Sequence, residues 1–152
     1  MLRQSMVEKP SGYTCLAGAF AQVFDCPIDY IFQIVGHDGS PTVSGFHRGF
    51  HIEEMQYAGL KLGYAVVLHS VNPVYPTSTI PLPFDRFDEI MAIYRPGVAR
   101  VVLPHWDHAF AVLPNGDWVN PANGFIVPSG SYEVAEYYSV HKIRLGVKPI
   151  KF

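Results

Sequence analysis

The sequence predicts an α+β domain in which helices come first and a largely antiparallel sheet follows. Three observations carry this reading. Before Gly63, apolar residues recur at helical spacing in three segments. After Gly63, the period shortens to that of strands, with apolar runs separated by turn residues. Thirteen Gly and thirteen Pro in 152 residues require many turns and short elements, which disfavours an all-helical bundle. The length is that of one domain spanning residues 1–152, and 49% hydrophobic against 16% charged residues excludes intrinsic disorder.

The first helix is expected over Cys15 to Phe24, where Leu16, Phe20, Val23 and Phe24 form one stripe. Thr14 is its N-cap, and Asp25-Cys26-Pro27 breaks it. A second helix runs from Ile28 to Val35 and is closed by Gly36. A third runs from about Ile52 to Leu62, with Gly63 as its stop. Tyr64 to Leu68 reads as a strand and Val71 to Pro83 as a proline-rich loop. Asp85 would then cap a fourth helix ending near Tyr94. Strands are expected at Val98 to Leu103 and at Ala109 to Leu113. Asn115-Gly116 makes a hairpin turn, and Trp118 to Asn120 returns from it. Gly124 to Val127 and Val140 to Leu145 complete the sheet, with a short helix or strand near Tyr132 to Tyr138.

Charge excludes several classes of function. Eleven Lys and Arg against thirteen Asp and Glu give a net of −2 with no basic run, so no nucleic-acid partner is expected. The opening segment MLRQSMVEKP has no apolar core and is not read as a secretory signal. The charge-free stretch from Leu62 to Phe84 carries Pro73, Pro76, Pro81 and Pro83, so no membrane helix is expected there. Two cysteines do not make a disulfide scaffold. The expected compartment is the reducing cytoplasm, or the host cytoplasm or virion for a viral protein.

Cys15 stands at the first turn of the first helix, where unpaired amides and the positive end of the helix dipole favour a thiolate. The alternative use of a free cysteine is as a small buried hydrophobe. Cys26 lies eleven residues on, roughly 16 Å away along a helix, which is too far for a disulfide and suits packing. His108 opens the run HAFAVL, and a hairpin pairing AFAVL with WVN would bring Asn120 beside it. An amide oxygen there fixes the imidazole tautomer. The competing role for Asn120 is an Asx turn before Pro121. His105 and His108 lie three apart but on loop and strand with no further ligands near, so no metal is expected. Gly36 to Ser40 and Gly45 to His51 are polar enough to wall a cleft, or else form a turn with exposed histidines. Trp106 would roof the cleft or pack, and Tyr132, Tyr137 and Tyr138 are core or surface aromatics.

Taken together, an early SGYTCLAGAFAQVF, a late HAFAVL and NP on the returning strand resemble the papain-like cysteine peptidases. Within them the resemblance is to the bacteriocin-processing, double-glycine leader peptidases and their stand-alone C39-like relatives. It implies helices packed on an antiparallel sheet and hydrolysis of a peptide or amide bond in a peptide or protein substrate, with no cofactor. Cys15 would be the nucleophile, His108 the base and acid, and Asn120 the orienting residue. Asn120 stands where that family usually has Asp, and Leu16 where it often has Gly. Lys9 occupies the position of the family's oxyanion glutamine, six residues before the cysteine. An ammonium there can hold an oxyanion without the fixed geometry of an amide. The same departure supports a second reading, a silent peptidase-like fold kept for binding or structure, for example in a phage.

Overall fold

The computed structural model describes residues 14–40, 49–70, 85–103, 106–128 and 132–143. The elements run α1 (Cys15–Phe24), α2 (Ile28–Val35), α3 (Ile52–Leu62), β1 (Tyr64–Ser70), α4 (Asp85–Ile93), β2 (Gly97–Leu103), β3 (Trp106–Val112), β4 (Trp118–Val119), β5 (Ile126–Val127) and β6 (Val134–Lys142). Every strand pairing among them is antiparallel, in the order β1-β6-β2-β3-β4-β5. The fold is α+β, with the first three helices where their spacing puts them.

Helix α1 is the centrepiece. Ala17, Gly18, Ala19, Phe20, Ala21, Gln22 and Phe24 are all buried. A helix buried on nearly every side needs apolar or small residues all round. Ala and Gly meet that need and let it lie close between β2 and β3 on one side and α2 and α3 on the other. Thr14 sits at the N-cap, but its hydroxyl makes no capping bond. Its carbonyl takes the Gly18 N–H at 2.9 Å instead. Asp25 ends the helix in the left-handed region at φ 54°, which a short polar side chain tolerates. The chain then bends by 112° into α2, and no single helix among the described residues is long and apolar enough to cross a membrane.

The sheet separates two apolar layers. On the helix side, Phe20, Phe24, Ile31 and Met55 meet Val98, Ala109, Ala111 and Tyr138. On the other face, Met91 of α4 meets Val101, Phe110, Val112, Trp118, Val134 and Tyr137. The alternation Ala109, Phe110, Ala111, Val112 along β3 therefore serves both layers, small residues under α1 and large ones opposite.

Two strand expectations need correction. The element near Tyr132 to Tyr138 and the strand from Val140 are one continuous strand, β6. It lies between β1 and β2 and is covered on both faces, so Tyr137, Tyr138, Ser139 and Val140 are all buried and no alternation marks it. Strand β3 begins at Trp106 rather than Ala109, because its pairing with β2 continues to Leu103 opposite Trp106. The loop from Val71 to Pro83 and the end of the last expected strand, residues 144 and 145, lie outside the described residues.

Candidate active site

Cys15 and His108 both line one open cavity of about 380 Å3. Its wall also includes Gly49 to Glu53 at the start of α3, and Arg100, Asp107, Glu136 and Tyr138 from the sheet. Helix α1 delivers Cys15 to the edge of β3, with Sγ 4.0 Å from the Asp107 carbonyl oxygen. The two cysteines are unbridged, Cys26 buried and Cys15 partly exposed.

His108 Nε2 lies 2.9 Å from Asn120 Oδ1. The same oxygen accepts the Ala122 backbone N–H at 3.0 Å. A backbone amide can only donate, so the atom it meets is the oxygen and not the amide nitrogen of Asn120. In turn that oxygen can only accept, which places a proton on Nε2 and leaves Nδ1 as the basic nitrogen of the neutral ring. The two roles posed for Asn120 are thus filled together, one lone pair for the Asx turn and one for the imidazole. The local chain makes this firm. Gly116 at φ 94° closes the β3–β4 hairpin, and Val112 pairs with Trp118 and Ala111 with Val119. One further step of that register sets Asn120 diagonally across from His108. Asn120 N–H donates to Phe125 O at 2.9 Å, and its carbonyl takes Gly124 N–H at 2.7 Å, locking the turn.

Burial governs the protonation of both groups. His108 is packed edge-on against Phe110, which in turn meets Trp118. This desolvation pushes its pKa below the ordinary value, although the Asn120 bond and Asp107 act in the opposite direction. Burial likewise raises the Cys15 thiol. The Ala109, Leu16 and Cys15 backbone donors lower it as a helix start should, but desolvation is larger, and Asp107 adds to it. The helix start does favour the thiolate through its backbone donors, but burial opposes it and is the larger effect. Burial, then Asp25, pushes Cys26 up to about 12.

The sheet side of the cavity carries a charge network that the sequence reading did not find. Arg100 Nε and Nη2 bind the two oxygens of Asp107 at 3.1 and 2.8 Å, and Nη1 reaches Glu136 Oε1 at 3.4 Å. Tyr138 donates to the other Glu136 oxygen at 2.6 Å. Arg100 is paired directly with Glu136 across β2 and β6, at the bulge that shifts the register after Arg100. Asp107 is its diagonal neighbour across β2 and β3. Only the register brings these residues together.

The loop expectations divide. Gly49, Phe50 and His51 do wall the cavity, Gly45 to Arg48 lie outside the described residues, and Gly36 to Ser40 is a turn, with Asp38 Oδ1 accepting the Ser40 N–H at 2.9 Å. His37 is not exposed there. It stacks on Phe50 with ring centres 4.7 Å apart, accepts the Gly39 N–H at Nδ1, and bonds Glu54 at 2.5 Å. Among the described residues no three His, Cys, Asp or Glu side chains gather as metal ligands. Lys9, His105 and the Trp106 side chain lie outside the described residues.

The fold and this cavity define a papain-like α+β architecture, with a helix start and a strand mouth meeting at one cleft. Among solved structures, the peptidase domain of Streptococcus ComA, a bi-functional ABC transporter involved in a quorum-sensing pathway, is similar. The TM-score is 0.54 at 11% identity, over 90% of this chain and 97% of that one, a distant relation at the level of the fold. No protein-family model and no curated protein sequence matches the chain.

Proposed function

We propose that the protein is a cysteine peptidase acting on a peptide or amide bond with Cys15, His108 and Asn120. The observation that carries this reading is the His108–Asn120 hydrogen bond on the wall of the cavity that Cys15 also lines. Cys15 Sγ attacks the carbonyl carbon as its proton passes to His108 Nδ1. The Cys15 backbone N–H holds the oxyanion, with Lys9 as a second donor. His108 then protonates the departing amine as the C–N bond breaks, leaving a thioester. Water, deprotonated by the same nitrogen, releases the acid and restores the thiol. Asn120 Oδ1 keeps the Nε2 proton in place throughout.

The test is turnover of a peptide panel by the wild type, Cys15→Ala and His108→Ala. Either substitution should cost at least about 10³-fold in kcat/KM with folding retained. Cleavage that persists in Cys15→Ala refutes the reading. One observation favours a second reading, a silent fold that binds a partner: burial holds the Cys15 thiol above its ordinary pKa. Under that reading no peptide is cleaved, and partner binding survives Cys15→Ala.

A further inference from the structure

We infer that the cavity beside Cys15 is charge-selective, taking a peptide with a Lys or Arg side chain next to the scissile bond and rejecting an acidic one there. The inference rests on the cavity's assignment as the active site. The described residues that line it include Glu53, Asp107 and Glu136 against one guanidinium, that of Arg100, a formal excess of two negative charges with the histidines neutral, or of one with the ammonium of Lys9 proposed above. Three of the five N–H donors of Arg100 are engaged by Asp107 and Glu136, whose two charges outweigh its own. A carboxylate offers about four acceptor positions, and Asp107 uses two of them on Arg100. Its side chain is 57% exposed, so the rest remain open to a donor from outside. Glu53, on the first turn of α3, is exposed as well.

The selection reaches the chemistry. Asp107 pushes both the Cys15 thiol and the His108 imidazole toward their protonated forms. A bound ammonium or guanidinium would offset that field at the thiol and at the imidazole alike, so a basic substrate should gain chiefly in KM.

Two thiol reagents of opposite charge separate this from the peptidase reading. Aminoethyl and sulfonatoethyl methanethiosulfonate each transfer their thioalkyl group to the cysteine as a mixed disulfide and release methanesulfinate. They are compared on the full chain carrying Cys26→Ala, so that Cys15 alone reports. The cationic reagent should react at least about tenfold faster at low salt, with the ratio falling as salt rises. Glu53→Gln should cut that ratio about two- to threefold. Asp107→Asn should cut it further by also freeing Arg100. Cleavage of peptides bearing Lys, Gln or Glu beside the scissile bond supplies the second readout, with Lys expected first. A ratio near one, or a faster anionic reagent, overturns the inference whatever the peptides do. A cationic preference without cleavage of any peptide leaves the charge selection standing and removes the peptidase reading instead.

Discussion

Replacing Asn120 with Asp should shift the dependence of stability on pH in favour of acid. In the wild type, burial holds the His108 pKa below its ordinary 6.5. A depressed group contributes stability that is present above the unfolded pKa and is lost as the pH falls through the native one. An aspartate keeps an acceptor for both His108 Nε2, now 2.9 Å from Oδ1, and the Ala122 N–H, now at 3.0 Å. It adds a negative charge about 4 Å from the centre of an imidazolium, worth about 4 kcal/mol at an effective dielectric constant near 20. Part of that is spent desolvating the carboxylate, so a net rise of about 1–3 pKa units is expected, or about 1.4–4 kcal/mol in favour of the charged ring. His108 would then titrate higher than in the wild type. A raised group contributes stability that is fully present below the unfolded pKa and is lost as the pH rises through the native one. The variant should therefore gain on the wild type at pH near 5 and lose that gain by pH near 8. Urea unfolding at the two pH values measures the difference, and because His69 is also depressed, only the variant-minus-wild-type difference is read. An NMR titration of the His108 ring, assigned with His108→Gln, gives the pKa directly. A variant His108 that titrates no higher than the wild type's refutes the hydrogen-bonded pair. So does a stability difference that is the same at both pH values.

Gly97→Ala tests the packing behind the sheet. A Cβ there would collide with Tyr137 Oη and the Tyr138 carbonyl, so a loss of about 1–3 kcal/mol is expected in urea unfolding. Glu54→Ala removes the bond to the His51 backbone at the start of α3 and the acceptor of His37, for about 1–2 kcal/mol. Burial raises the Glu54 pKa, but its bonds to His37 and His51 outweigh this and hold it below the ordinary 4.5. Its contribution is therefore present above the unfolded pKa and lost as the pH falls through the native one. The gap between Glu54→Ala and the wild type should narrow below about pH 4 in unfolding measurements.

What the sequence disclosed and what it withheld follow from how far apart the interacting residues are. Helices α1, α2 and α3 are written in local spacing and end in Asp25, Gly36 and Gly63, residues that tolerate a left-handed backbone, so their bounds were readable. The partnership of His108 with Asn120 was readable because a single tight turn joins their strands. Strand β6 was not, because a strand covered on both faces loses the alternation by which strands are recognised. The Arg100, Asp107 and Glu136 network was hidden for a different reason. Asp107 stands beside His108 in the chain and was passed over, since its significance depends on Arg100 and Glu136, and 36 residues separate those two. Their meeting is fixed by the register between β2 and β6, which the bulge after Arg100 resets.

The setting of the thiol follows the same principle. A helix start lowers a thiol's pKa through donors that the sequence reveals, and Leu16 and Cys15 supply them. Desolvation comes from the walls that close around the sulfur, and those walls are assembled from α1, α3, β2, β3 and β6. Local order therefore places Cys15 and the His108–Asn120 pair, while long-range pairing sets the burial of the sulfur and the charges around it. For this cavity the second question turns on Asp107. It pairs with Arg100 and acts to raise the pKa of both Cys15 and His108, so under the proposed reading one carboxylate would link the protonation of the two groups to the charge of the substrate.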